Sequence, residues 1–211
     1  MDIQRTPLES LFHDARKKRL DRGQMIFYAD DPPTEVAVLV KGIVKVFDID
    51  DKGQEKVLQI IKAPAILPLN CLPTPPRLTK WHYSALTDVD THVFTPAELH
   101  DRIVKSHALS TYIISWLADE SHELLTRIDS MSKTDVRAKI LAALRFFGMH
   151  YTGPDKRGWR QVKFPVTHQL LADITGITRE SVTIQMRQLQ QEKLIRPKRP
   201  YLEIRTSKLL A

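Results

Sequence analysis

Residues 166–191, VTHQLLADITGITRESVTIQMRQLQQ, constrain the fold of this chain more than any other stretch. They read as two short helices joined by a tight turn at Gly176, the pattern of a helix-turn-helix. Ala172, Gly176 and Val182 stand at intervals of four and six. The small residue lets one helix approach the other, the glycine permits a positive φ in the turn, and the β-branched valine packs back into the crossing. Leu170, Leu171, Ile174 and Ile177 supply an inner apolar face, continued by Met186 and Leu189 at helical intervals from Val182. Arg179, Glu180, Thr183 and Arg187 make a polar outer face, which a helix that reads the donors and acceptors of base edges requires. A plain αα-hairpin inside a core fits the apolar pattern as well, so the rest of the chain has to decide between them.

Charge is the first discriminator. The net charge of +7 is unevenly spread: residues 1–132 hold 16 Lys and Arg against 19 Asp and Glu, a balance of −3, whereas residues 133–211 hold 16 against 6, a balance of +10. The whole excess lies with the helix-turn-helix, the footprint expected where phosphates are neutralised and counterions released. A solvated basic face is the bland alternative.

Several classes drop out on composition. With 211 residues, 42% hydrophobic and 27% charged, the chain has the balance of a globular protein and room for one large or two small domains; two are expected. No apolar run is long enough to span a bilayer, and residues 1–24 lack a signal-peptide apolar region, so a cytoplasmic protein with no membrane partner is expected. The single cysteine, Cys71, excludes an internal disulfide and any cysteine-built iron–sulfur or zinc cage within one chain; it reads as a buried small hydrophobe rather than a redox sensor. No Ser/His/Asp or Cys/His spacing, Walker loop or glycine fingerprint is present, and glycines number only seven, so no catalytic role is expected.

Along the chain, Leu8, Leu11, Phe12, Ala15 and Leu20 recur near helical spacing and predict a short N-terminal helix. Short β-prone runs follow at 25–28, 36–40, 43–49, 57–61 and, with interruptions, 82–94. Val36, Val38 and Val40 alternate with the other face, and Asp50-Asp51-Lys52-Gly53 is turn chemistry between two runs. The pattern predicts an antiparallel jelly roll. Pro64, Pro68, Pro73, Pro75 and Pro76 rule out a regular helix or a central strand over 63–77 and predict an irregular loop, packed down by Ile66, Leu67, Leu69 and Leu72. Thr95-Pro96 opens a helix expected to run unbroken to about residue 130. Its stripe of Leu109, Ile113, Trp116, Leu117, Leu124, Ile128 and Met131, interrupted by Glu120 and Arg127, must be buried against a second body. A second copy of the helix is the economical choice, and the chain's own roll is the alternative. Ser132 or Thr134 is the expected cap of a helix over 136–149, and Thr152-Gly153-Pro154-Asp155 breaks the chain after it. Beyond the helix-turn-helix, residues 194–196 and 201–205 read as two strands around Pro197-Lys198-Arg199-Pro200, a basic wing whose Lys198 and Arg199 can reach phosphates.

The resulting fold is α+β: an N-terminal antiparallel β-roll over 1–96, a long dimerisation helix over 97–131, and a C-terminal winged helix-turn-helix over 132–211. In that order, and most specifically in AVLVKGIVKVF and LADITGITRESVTIQMRQLQQEKLI, the chain resembles the CRP/FNR family of bacterial transcription regulators. The resemblance implies a homodimer along the long helix, double-stranded DNA with a palindromic operator and half-sites about one helical turn apart, and RNA polymerase as a further partner. It places the start of the recognition helix on Thr178, Arg179 and Glu180. Thr178 is the expected N-cap, Arg179 the partner of guanine O6 and N7, and Glu180 the acceptor from cytosine N4. Ser181, Thr183 and Arg187 follow on that face, and Thr167, His168 and Gln169 at the start of the preceding helix complete the expected DNA contacts. Ile184 stands where the best-known members carry a base-reading arginine and offers only apolar contact, for instance to a thymine methyl. Gln185 falls on a position that is usually apolar in this motif, which makes a local register shift an expectation to test.

The sensing half departs further. Cyclic-nucleotide-binding members resemble one another in a phosphate cassette of Gly-Glu-Leu followed by Arg-Ser or Arg-Thr. The corresponding stretches here are AILPL at 65–69 and HYSAL at 82–86, with Tyr83 where the arginine belongs. Without the charge-assisted pair a phosphate would be desolvated uncompensated, so cyclic nucleotide in the usual mode is not expected. The cysteines of oxygen-sensing members are also missing. No cofactor is predicted. An unknown small effector is possible near Leu67, Leu69, Tyr83 and Ser84, and a haem held by His82 or His92 is a variant reading. The reading from a different class is a ligand-binding regulatory subunit that acts on a protein partner.

Overall fold

In the computed structural model, residues 7–11, 15–32, 34–72, 75, 77–132 and 134–209 are described. Compact packing divides the chain into two units, residues 1–48 with 58–123 and residues 49–57 with 124–211.

The first unit is built on two four-stranded antiparallel sheets, except for residues 49–57, which belong with the second unit. One has the order β1-β8-β3-β6, from β1 (Arg16–Leu20), β8 (Val89–Phe94), β3 (Val36–Lys41) and β6 (Ala65–Leu67). The other has the order β2-β7-β4-β5, from β2 (Met25–Phe27), β7 (His82–Ala85), β4 (Ile43–Ile49) and β5 (Glu55–Lys62). The alternation expected of Val36, Val38 and Val40 is absent from burial, since Val36, Ala37, Val38 and Leu39 are all buried and Val40 is exposed. The strand serves two apolar clusters: Val36 and Val38 join Ile66, Phe94 and Leu99, while Leu39 joins Val44, Leu67, Tyr83 and Val89. Gly42, between β3 and β4, has φ +101°, and a Cβ there would stand 2.4 Å from the Asp88 carbonyl oxygen. Only glycine closes that corner. Asp50 organises the next turn by accepting from the Lys52 and Gln54 amides at 2.9 Å.

Two expectations for this unit are corrected. The predicted N-terminal helix is a five-residue 3-10 turn, Pro7–Leu11, followed by strand β1; Phe12 lies outside the described residues. Leu8 and Leu11 are buried as the periodicity required, but pairing with β8 overrides helix propensity from Arg16 onward. The proline-rich segment is not wholly irregular: Ala65–Leu67 pairs with β3 as an edge strand and Leu69–Cys71 forms a 3-10 turn. An edge is where flanking prolines leave no ladder bond unmade. Pro73 and Pro76 lie outside the described residues.

The helix after the roll is two helices. Thr95 caps α1 (Pro96–Lys105) in a reciprocal box with Glu98, and α2 (His107–Ser132) starts after Ser106. Ser106 takes an extended conformation and its Oγ accepts the Leu109 amide at 3.3 Å, so it ends one helix and caps the next. Leu109 and Ile113 are buried in the first unit's own core, with Trp116 packed against it. Leu117, Leu124 and Ile128 are exposed, as are Ile114 and Leu125. The stripe is therefore shared: its first part packs on the roll, and the remainder is uncovered within one chain. Met131 lies outside what is described of side chains. Glu120 and Arg127, the interruptions, bond to β5, Glu120 to the Gln59 side chain and Arg127 to the Val57 carbonyl.

The second unit is a winged helix-turn-helix. Its α3 (Val136–His150) is capped by Asp135, which accepts the Ala138 amide at 2.7 Å, rather than by Ser132 or Thr134. Ile140, Leu144 and Phe147 of α3 are fully buried, and Phe147 meets Phe164 edge-on at 5.0 Å. Such aromatic pairs contribute about 0.5–1.5 kcal/mol beyond area burial. Around α3 stand α4 (His168–Thr175), α5 (Arg179–Gln191), the short α6 (Thr206–Leu209), and a three-stranded sheet of order β10-β11-β9. Its strands are β10 (Ile195–Lys198), β11 (Tyr201–Arg205) and β9 (Trp159–Gln161).

Candidate nucleic-acid interface

The two helices are held by local chemistry the sequence makes visible. Thr167 caps α4 by accepting the Leu170 amide at 3.0 Å, and Gly176 ends it in the left-handed conformation at φ 67°, its amide bonded to the Ala172 carbonyl at 2.8 Å. Thr178 then caps α5 by accepting the Ser181 amide at 3.2 Å. Ala172, Val182, Met186 and Leu189 are buried, as are Leu170, Leu171 and Ile174. Burial of Val182, Met186 and Leu189 at intervals of four and three fixes the rotation of α5 about its axis, so the register shift that Gln185 raised does not occur. Gln185 lies half-buried beside them, and its Oε1 is enclosed with no hydrogen-bond partner.

With that rotation set, Arg179, Glu180, Ile184 and Arg187 stand exposed on one side of α5, and Ile184 is 56% exposed. A large apolar side chain left in water on a polar face loses nothing by meeting another apolar group, which is what a thymine methyl would offer. Ser181 and Thr183 are less free than the sequence suggested. The Thr178 hydroxyl donates to Ser181 Oγ at 2.9 Å, and the Thr183 hydroxyl donates to the Arg179 carbonyl at 2.8 Å while lying 2.9 Å from His168 Nδ1. Gln169, at the exposed start of α4, spends its side-chain amide on Asp173 at 2.7 Å. Burial, with Arg179 and then Arg187 adding to it, holds the His168 ring below the usual histidine range.

To Lys198 and Arg199 the wing adds three further charges, Arg196, Glu203 and Arg205. Arg196 pairs with Glu203, and Lys198 reaches the same carboxylate at 3.1 Å; Arg199 is exposed at the tip. Arg196 and Arg205 both lie over the Trp159 ring, at 4.4 and 5.7 Å from its centroid. Trp159 belongs to β9, a three-residue strand too short to show a period in the sequence; its one readable signal is an aromatic directly after Gly158.

The expected effector residues are brought together only in part. Leu67 and Tyr83 share one apolar cluster, where Tyr83 meets Phe27 edge-on at 5.8 Å and burial pushes its hydroxyl up to about 12. Ser84 is buried in the same strand as Tyr83, and Leu69 is half-buried in the 3-10 turn that follows β6. Cys71 is buried as expected, its thiol pushed up to about 11 by burial. His82 accepts the Ala29 amide at Nδ1 and stacks on Phe47.

Residues 138–211 match the family profile described as a Crp-like helix-turn-helix domain, and residues 17–101 match that of a cyclic nucleotide-binding domain. The HTH-type transcriptional regulator ArcR of Staphylococcus haemolyticus is 26% identical over 83% of this chain and 76% of its own length. Among solved structures, the c-di-GMP-responsive global regulator CLP of Xanthomonas campestris superposes with a TM-score of 0.76 at 16% identity, covering 94% of this chain and 97% of that one. A CRP-family transcriptional regulator of Thermus thermophilus superposes at 0.74 and 20% identity, covering 89% and 91%. No helix among the described residues is long and apolar enough to cross a membrane.

Proposed function

Since the chain belongs to the CRP/FNR family of DNA-binding transcription regulators, we propose that it acts as a homodimer whose two α5 helices enter successive major grooves of a palindromic operator. The observation that carries this reading is the fixed rotation of α5, with Val182, Met186 and Leu189 inward and Arg179, Glu180, Ile184 and Arg187 outward. Arg179 serves guanine, Glu180 serves cytosine, and Ile184 replaces a hydrogen-bonding reader with an apolar one. Arg187, Arg199 at the wing tip, and Lys198 with the donors its bond to Glu203 leaves over serve phosphates, which position the protein without reading sequence. Dimerisation rests on the uncovered apolar arc of α2. At the promoter the dimer acts on RNA polymerase. Its effector, if it uses one, is not a cyclic nucleotide held in the usual mode, because Tyr83 is packed into the roll where an arginine would have to reach a phosphate.

Selection of genomic fragments by the purified protein, at low and high salt and with or without cell extract, tests the reading. The expected outcome is a palindromic consensus whose retention falls steeply with salt, by a slope near the number of phosphates contacted. A protein that retains no fragment in a salt-sensitive way is a regulatory subunit rather than a DNA reader.

A further inference from the structure

His168, at the start of α4, touches the recognition helix through Thr183, and its hydrogen bonding decides what it can offer DNA. The Thr183 hydroxyl has a single proton and donates it to the Arg179 carbonyl at 2.8 Å. The 2.9 Å contact between Thr183 Oγ and His168 Nδ1 is made at the same time only if Nδ1 carries the proton and donates. The neutral ring so held presents a bare lone pair at Nε2. A lone pair repels a phosphate oxygen. The imidazolium, which keeps the Thr183 bond and adds an N–H at Nε2, attracts it and makes a charge-assisted bond.

We propose that His168 is a proton-linked phosphate contact: Thr183 fixes the neutral ring's proton on Nδ1, and DNA binding draws one proton from solvent onto Nε2. This rests on α4 and α5 lying against DNA as proposed above. The charges acting on the ring are Arg179 and Arg187, both on α5, and they oppose its protonation along with burial. On α4 the Asp173 carboxylate accepts from the Gln169 side chain at 2.7 Å. An arriving phosphate reverses the balance, because it neutralises the field of Arg179 and Arg187 while pairing with the new N–H. Thr183 is then a positioning residue. It sets the ring's tautomer, and through its bond to the Arg179 carbonyl it ties that setting to the first turn of the reader.

The test is fluorescence anisotropy on a labelled duplex of the selected operator, from pH 6 to 8.5 at constant ionic strength, with wild type, His168→Gln and His168→Arg. In wild type the dissociation constant should rise with pH, by up to about tenfold per pH unit where one proton is taken up. His168→Gln should bind more weakly at pH 6 and lose that slope. His168→Arg, with a permanent charge, should hold its pH 6 affinity across the range. Thr183→Val should keep a weaker slope, because the ring is then free to carry its neutral proton on Nε2. A wild-type slope equal to that of His168→Gln overturns the proposal even where binding is tight. Failure to recover any operator would instead overturn the DNA-binding reading on which it stands.

Discussion

Replacing Ile128 by alanine should dissociate the dimer without unfolding the protomer. Ile114, Leu117, Leu124, Leu125 and Ile128 fall within an arc of roughly 100° on α2 at 3.6 residues per turn, and Ile114 and Ile128 are 68% and 64% exposed. Fully burying an aliphatic side chain of this size contributes about 1.5–3 kcal/mol, so covering the exposed part of Ile128 contributes about 1–2. A two-fold interface uses the residue twice, which makes the loss about 2–4 kcal/mol and the dimer about 30- to 1,000-fold weaker. The protomer loses little, since an exposed side chain contributes within about 0.5 kcal/mol. Sedimentation equilibrium over nanomolar to micromolar protein reads the association, and thermal melting above the dissociation constant reads the fold. Ile114→Ala should behave alike, and Ser115→Ala, which is exposed but lies off the arc, should change neither. An unmoved association constant in both isoleucine variants would refute the assignment of this arc to a second copy. So would a fall in protomer stability as large as the fall in association, because the side chains would then belong to the chain's own core.

Arg179→Ala should relax the half-site at one base pair, at a cost of about 1–3 kcal/mol against that base; binding lost equally on all sequences would make Arg179 a phosphate contact instead. Ile184→Arg should create a guanine requirement at the position wild type reads by apolar contact, and a selected consensus that does not move would place Ile184 away from the bases. Glu120 supplies a pH prediction. Burial first, then Glu123, raises its carboxyl to about 7 despite the Gln59 bond. A folded value above the unfolded one means stability is highest below about 4.5 and declines as pH rises to about 7. Discounted for its half-exposed setting, the decline should be about 1–2 kcal/mol. Glu120→Gln should remove it, and melting curves of equal pH dependence in the two proteins would refute the link.

The helix-turn-helix was readable because its determinants are local. Thr167, Gly176 and Thr178 each act within four residues of themselves, and the buried positions of α5 recur with a helical period. Strand β1 hid for the opposite reason: Arg16, Lys17, Lys18 and Arg19 are all exposed, so the edge strand carries no alternation and exists only because β8 pairs with it. Strand β6 hid between Pro64 and Pro68 because three residues cannot display a period of two, although all three are buried. The break between α1 and α2 is marked by neither proline nor glycine. Its signal is Ser106, a residue with helical sequence on both sides and a side chain suited to capping. Within the interface, the residue types were legible but their commitments were not. That the Thr183 hydroxyl is spent on Arg179 and His168, and Lys198 on Glu203, depends on partners brought close by the fold.

Tyr83 carries the argument about sensing. A phosphate site in the roll would need a cation and a donor cradle, and the matching stretches contribute instead a buried phenol and the buried run Ala65–Leu67. The ring is enclosed by Phe27 and by the cluster of Leu39, Val44, Leu67 and Val89, so it closes part of the space a ligand would take. Tyr83→Arg should therefore fail to create cyclic-nucleotide binding. The new guanidinium would lack the glutamate of the cassette and would bury a charge among aliphatic side chains, costing stability rather than gaining a ligand. Calorimetric titration with cyclic AMP should give no binding heat in either protein at 100 µM ligand, a concentration set to exceed about a 10 µM dissociation constant tenfold. Saturable binding by wild type would show that the roll opens around Tyr83 and that the packed phenol does not close the ligand space.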